Sequence, residues 1–186
     1  MESTAQPAIS VRKIVIAGVL AAIALVLGLT QTGFVPVPNP TGRATIMHVP
    51  VIIGAVLEGP VVGMLIGLIF GITSFLTTSS VALKNPIVSI LPRILIGLTT
   101  FYTYVALKRW NEYVALGVSA FVGTATNTIF VLGLAGLFGT IAWAAMPAIV
   151  LTQSIWEAIA AIIITIAVVA AWKGIESGRG GGSRKV

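Results

Sequence analysis

Residues 44–57, Ala-Thr-Ile-Met-His-Val-Pro-Val-Ile-Ile-Gly-Ala-Val-Leu, decide how many times the chain crosses a membrane. The stretch is shorter than the roughly 20 apolar residues a spanning helix needs, and Pro50 lies within it. Length alone makes it a re-entrant or half-buried segment. Charge argues for a crossing. Five longer apolar runs, 13–32, 60–78, 87–107, 113–137 and 147–172, flank it on both sides. If 44–57 crosses as well, Arg12, Lys13, Lys108, Arg109, Lys173, Arg179, Arg184 and Lys185 all fall on one face, eight of the 11 Lys and Arg. If it does not, Arg12 and Lys108 lie on opposite faces, against the positive-inside tendency. The expected fold is therefore an all-α membrane protein of six transmembrane helices, with both termini cytoplasmic.

Composition agrees with this reading. The 186 residues are 57% hydrophobic and 9% charged, with a mean hydropathy of +1.06, which excludes an ordinary soluble domain. The net charge of +6 is a topology signal and does not call for nucleic acid, because the basic residues sit at the ends of apolar runs. The first run is too long for a signal-peptide core and is expected to be retained. Residues 1–12 read as a cytoplasmic N-terminal segment, 13–172 as the membrane domain and 173–186 as a basic tail that favours anionic lipid. Residues 33–43, with Pro36, Pro38 and Pro40, read as an outer loop, and 77–84 as a second one.

Three ionisable side chains, His48, Arg93 and Glu157, lie inside these runs, where charge is expensive enough to need a reason. Counting inward at 1.5 Å per residue puts His48 and Arg93 about 6–9 Å deep from the outer face. Gln153 and Glu157 follow one turn apart on one face of the last run, and Asn127 lies near the middle of the fifth. Every one of these groups falls in the outer half or at the midplane, and the inner half is almost purely apolar. The pattern predicts a binding cavity that opens outward, with Arg43, His48, Arg93, Asn127, Gln153, Trp156 and Glu157 as its candidate residues. Arg93 and Glu157 pair either with each other or with a ligand. His48 either lines the site or caps a helix at Pro50. Asn127 and Gln153 serve either as ligand contacts or as interhelical bonds, and Trp156 either stacks in the cavity or packs.

Several chemistries are excluded. Cysteine is absent, so there is no disulfide, thiol nucleophile or thiolate metal site. With one His and five acidic residues, only Glu157 of them deep, no metal cluster or carboxylate dyad is expected. His48 with Ser74 or Ser89 matches no catalytic motif, and no P-loop is present. The chain is not expected to be an enzyme. Two small-residue faces stand out: Gly59, Gly63, Gly67 and Gly71 at strict four-residue spacing, and Ala17 with Ala21, flanked by Gly18 and Ala22. Either allows close helix approach, inside the bundle or to a partner.

The segment from Ala44 to Gly63, with Met47-His48-Val49-Pro50 and Leu57-Glu58-Gly59-Pro60, resembles the second and third helices of the substrate-binding S components of energy-coupling factor (ECF) transporters. Asn85-Pro86 followed by Leu91-Pro92-Arg93-Ile94-Leu95-Ile96-Gly97 resembles the fourth. The likeness spans nearly the whole chain, and within the family it is greatest to the pantothenate-type branch. It implies a vitamin-binding subunit of the cell membrane that works with a transmembrane T subunit and two ATPase subunits. ATP would be used by the partners, with no cofactor in this chain. Ala17-x-x-x-Ala21 resembles the first-helix motif that docks the T subunit. Folate, riboflavin and cobalamin-related members share the implied fold and stay open as alternatives, as does a self-sufficient proton-coupled carrier using Glu157 and His48. Arg43, Lys84 and Arg93 outnumber Glu157 near the site, which favours a small anionic vitamin such as pantothenate.

Overall fold

A computed structural model describes residues 11–30, 32–36, 43–78 and 80–181, apart from the side chains of 34–36, 43–44 and 176–181. Helix α1 (Val11–Leu29) is followed by two short antiparallel strands, β1 (Phe34–Pro36) and β2 (Arg43–Thr45), paired with Val35 opposite Ala44. Then come α2 (Val49–Glu58), α3 (Pro60–Thr77), α4 (Pro86–Leu107) and α5 (Glu112–Leu137). The last crossing, Trp143–Ile175, starts as a 3₁₀ turn and α6 (Met146–Ile149), widens to a π turn at Val150–Ser154, and continues as α7 (Ile155–Gly181). Five of these elements are long and apolar enough to span a bilayer.

The exception is α2. Its ten residues rise only about 15 Å, half of a hydrocarbon core. The difference from the sequence reading is local: residues 43–45, expected to enter the second helix or the loop before it, are strand, and the helix begins at Val49. Every residue from Val49 to Val56 is buried. A helix that is apolar on all faces belongs at the centre of a bundle, and α2 packs against α1, α3, α4, α5 and α7. Pro50 and Pro60 sit in the first turns of α2 and α3, where a missing N–H costs nothing. Between them Gly59 turns the chain at φ 100°, a conformation that favours glycine.

The glycine stripe is consumed inside the bundle. A Cβ at Gly67 would sit 2.1 Å from the Arg93 carbonyl oxygen, and one at Gly71 2.8 Å from Ile90 Cα. Across the same seam a Cβ at Gly97 would sit 2.4 Å from the Gly63 carbonyl carbon. Helices α3 and α4 therefore meet backbone to backbone. The small residues of α1 divide differently: Ala21 is buried and Ala17 half-buried against the core, so the pair expected to face a partner faces inward. Gly18 and Ala22 are the exposed ones.

The basic ends gather as the charge count requires. At one end Arg12 of α1 pairs with Glu58 of α2 at 3.1 Å. Lys173 of α7 pairs with Glu112 of α5, and both bond the Tyr104 hydroxyl of α4, near which Lys108 also lies. Ion pairs thus tie α1 to α2 and α5 to α7 at this end. The inner half is less uniformly apolar than the sequence reading has it, since Thr100, Ser119 and Thr165 are fully buried there.

The α3–α4 seam yields a direct expectation. Gly67→Ala should destabilise the protein by about 1–3 kcal/mol, because its methyl meets backbone that cannot move aside. Gly18→Ala, where a Cβ meets nothing within 4 Å, should leave thermal unfolding in detergent unchanged. Equal melting temperatures for the two variants would contradict the close approach.

Candidate functional site

The polar groups of the outer half converge where α2, α4, α5 and α7 meet. Arg93 is within electrostatic reach of both His48 and Glu157. The three do not form one ion pair. Glu157 is buried, and its Oε1 accepts from the Thr45 backbone N–H at 3.0 Å and from the Gln153 side-chain amide at 3.1 Å. The carboxylate thus secures the end of β2, the extended chain that leads into α2. The π turn just before α7 carries Gln153, four residues ahead of its acceptor.

Arg93 is held by its own helix. Pro92 lies inside α4 and has no N–H to give the carbonyl four residues back, which is that of Val88. The Arg93 guanidinium supplies the missing donor, Nη1 to Val88 O at 2.9 Å. Its central carbon also lies 5.6 Å from the Phe70 ring centroid, a cation–π distance. The Nε–H has no partner. Arg93 is therefore oriented by backbone and aromatic ring while part of its fork stays uncommitted, with no direct contact to Glu157.

His48 stands at the N-cap position of α2 without a side-chain cap bond. Its ring turns into the bundle instead and meets Thr124 of α5, Nε2 to Oγ1 at 2.9 Å, with full burial. Its Nδ1 is without a partner. Asn127, one turn further along α5, is also buried, and its Oδ1 is unpartnered.

The structure therefore gathers His48, Arg93, Gln153 and Glu157, with Asn127 buried one turn from Thr124. Trp156 is among the exposed large apolar side chains, on a different face of α7 from buried Glu157. The Arg43 side chain lies outside the described residues. Sequence reasoning missed Thr45, Phe70, Pro92 and Thr124. Only Pro92 carried a signal, as a proline directly before a buried arginine. Buried unpartnered polar atoms are rare in folded proteins, and three of the six among the described residues, on His48, Arg93 and Asn127, belong to this cluster. They offer a cationic donor beside neutral groups, which suits a small polar anion. No group of His, Asp and Glu suited to a metal occurs among the described residues.

Three comparisons bear on this geometry. Residues 12–169 match the family model of the ECF transporter substrate-specific component. The chain is 34% identical over 151 residues to the pantothenic acid transporter PanT of Lactococcus lactis subsp. cremoris, an alignment covering 69% of this chain and 77% of that protein. A solved S component of a bacterial ECF transporter superposes with a TM-score of 0.61 at 22% identity, over 88% of this chain and 96% of the other. The chain belongs to the family of substrate-specific S components of ECF transporters, and is a multi-pass substrate-binding subunit and not an enzyme.

Proposed function

We propose that this chain captures pantothenate at the outer face of the cell membrane, for ATP-dependent uptake driven by partner subunits. The observation that carries the proposal is the buried Arg93, whose uncommitted Nε–H lies in a polar cluster of a chain 34% identical to a pantothenic acid transporter. Pantothenate has one carboxylate, one amide and two hydroxyls. The carboxylate suits Arg93, and the neutral groups suit His48, Asn127 and Gln153. Lys84, exposed just before α4, adds positive charge along the approach.

Both termini are cytoplasmic in this proposal, so the ion-paired end faces inward and the polar cluster outward. ATP is bound and hydrolysed by two ATPase subunits, and the membrane-embedded T subunit docks on α1. Since Ala17 and Ala21 face the core, the exposed Gly18 and Ala22 carry the docking face together with their apolar neighbours Val15, Val19 and Val26.

The isolated chain should bind pantothenate in detergent or nanodiscs without ATP, measured by calorimetry against a vitamin panel that includes folate, riboflavin and cobalamin. Binding of another panel member in preference would replace the vitamin, and no binding in either environment would remove the proposal.

Arg93→Ala should weaken pantothenate by about 2–5 kcal/mol, the cost of removing one partner from a buried charged contact. Arg93→Lys should recover only part of this, because the planar fork is lost. Wild-type affinity in a folded Arg93→Ala protein would make the residue purely structural.

Gly18→Leu and Ala22→Leu should leave affinity near wild type and sharply reduce uptake in cells that carry the partner subunits. Uptake into liposomes holding this chain alone would refute the partner-driven mechanism.

A further inference from the structure

The contacts of Thr124 decide what His48 can offer a ligand. A threonine hydroxyl has one proton. Thr124 Oγ1 lies 2.9 Å from the Ala120 carbonyl oxygen and 2.9 Å from His48 Nε2. If the proton pointed at the imidazole, two oxygens would face each other at hydrogen-bond distance with no hydrogen between them. If it points at Ala120, Oγ1 is free to accept, and Nε2 must carry the ring N–H. Burial cost points the same way: His48 is fully buried and Nδ1 has no partner, and an orphaned acceptor is tolerated better than an orphaned N–H. A second cation in the same buried cluster as Arg93 would be costly away from water, so the ring is taken as neutral.

We infer that Thr124 is a positioning residue that locks His48 in the Nε2–H tautomer, so that Nδ1 serves the substrate site as a hydrogen-bond acceptor for a neutral hydroxyl or amide N–H. The site then has a direction. An anionic group cannot sit at Nδ1, where two lone pairs would meet, and is sent to the Arg93 fork, whose Nε–H needs an acceptor. A molecule with a carboxylate at one end and a hydroxyl at the other enters in one orientation only. This rests on the proposed pantothenate reading for the identity of the ligand, but not for the tautomer.

His48 is the chain's one histidine, so protein labelled with ¹⁵N-histidine gives a single imidazole to observe. In substrate-free protein the proton should reside on Nε2, with Nδ1 showing the shift of a bare lone pair. Adding pantothenate should move Nδ1 far more than Nε2. Thr124→Val, which keeps the shape and removes the acceptor, should lower the Nε2–H fraction and weaken pantothenate about tenfold, the scale of one neutral hydrogen bond. Thr124→Ser should stay close to wild type in both measurements. The affinity penalty for pantothenate lacking one of its hydroxyls should shrink in Thr124→Val. An Nδ1–H or doubly protonated ring in the wild type, or an unchanged hydroxyl penalty in Thr124→Val, overturns the inference. Should pantothenate fail to bind wild type, the vitamin is wrong, and the substrate-free spectra of wild type and Thr124→Val alone decide the tautomer.

Discussion

A peptide N–H at membrane depth has no water to bond, and leaving it unpaired costs several kcal/mol. Helix α2 is too short to carry the chain across, so part of this crossing is extended backbone that helical bonds cannot satisfy. The solution is central placement. With α2 surrounded by five other helices, the backbone that leads into it is lined by protein, and the Thr45 N–H finds its acceptor in Glu157. A carboxylate of the last crossing thus ties down the chain that leads into α2, and the Gln153 amide donates to the same oxygen.

Helix α4 meets the same demand at the Val88 carbonyl. Pro92 leaves the Val88 oxygen without its helical donor, and the Arg93 side chain replaces it. One turn inward, the Arg93 carbonyl lies so close to α3 that only a glycine fits at position 67. The segment that presents the guanidinium is therefore fixed by a proline on one side and a helix contact on the other. Such a fixed charge loses little freedom on meeting an anion, which is the main cost a rigid site avoids.

The distribution of satisfied and unsatisfied groups separates scaffold from site. Glu157 and Gln153 are engaged with protein, as are Nη1 of Arg93 and Nε2 of His48. What faces no partner is one further atom each on Arg93 and His48, and Oδ1 of Asn127. Arg93 and His48 do both jobs at once, anchored by one atom and open at another. At the opposite end the polar groups of Tyr104, Glu112 and Lys173 bond one another.

The sequence by itself determined the number of crossings, the gathering of basic run-ends at one end of the bundle and the identity of the buried ionisable groups. These follow from the length of apolar runs and the cost of charge, which are local properties of the chain. The glycine spacing and Asn85-Pro86 were legible for the same reason, as was the family likeness. Only the tertiary structure decided who bonds whom. Thr45 and Glu157 are 112 positions apart, and His48 and Thr124 are 76 apart. No periodicity links such residues. Even on α1 the faces were ambiguous: Ala17 with Ala21 and Gly18 with Ala22 have the same spacing, about 100° apart around the helix. Which pair turns outward depends on where the neighbouring helices stand, and that is settled by packing across the whole bundle.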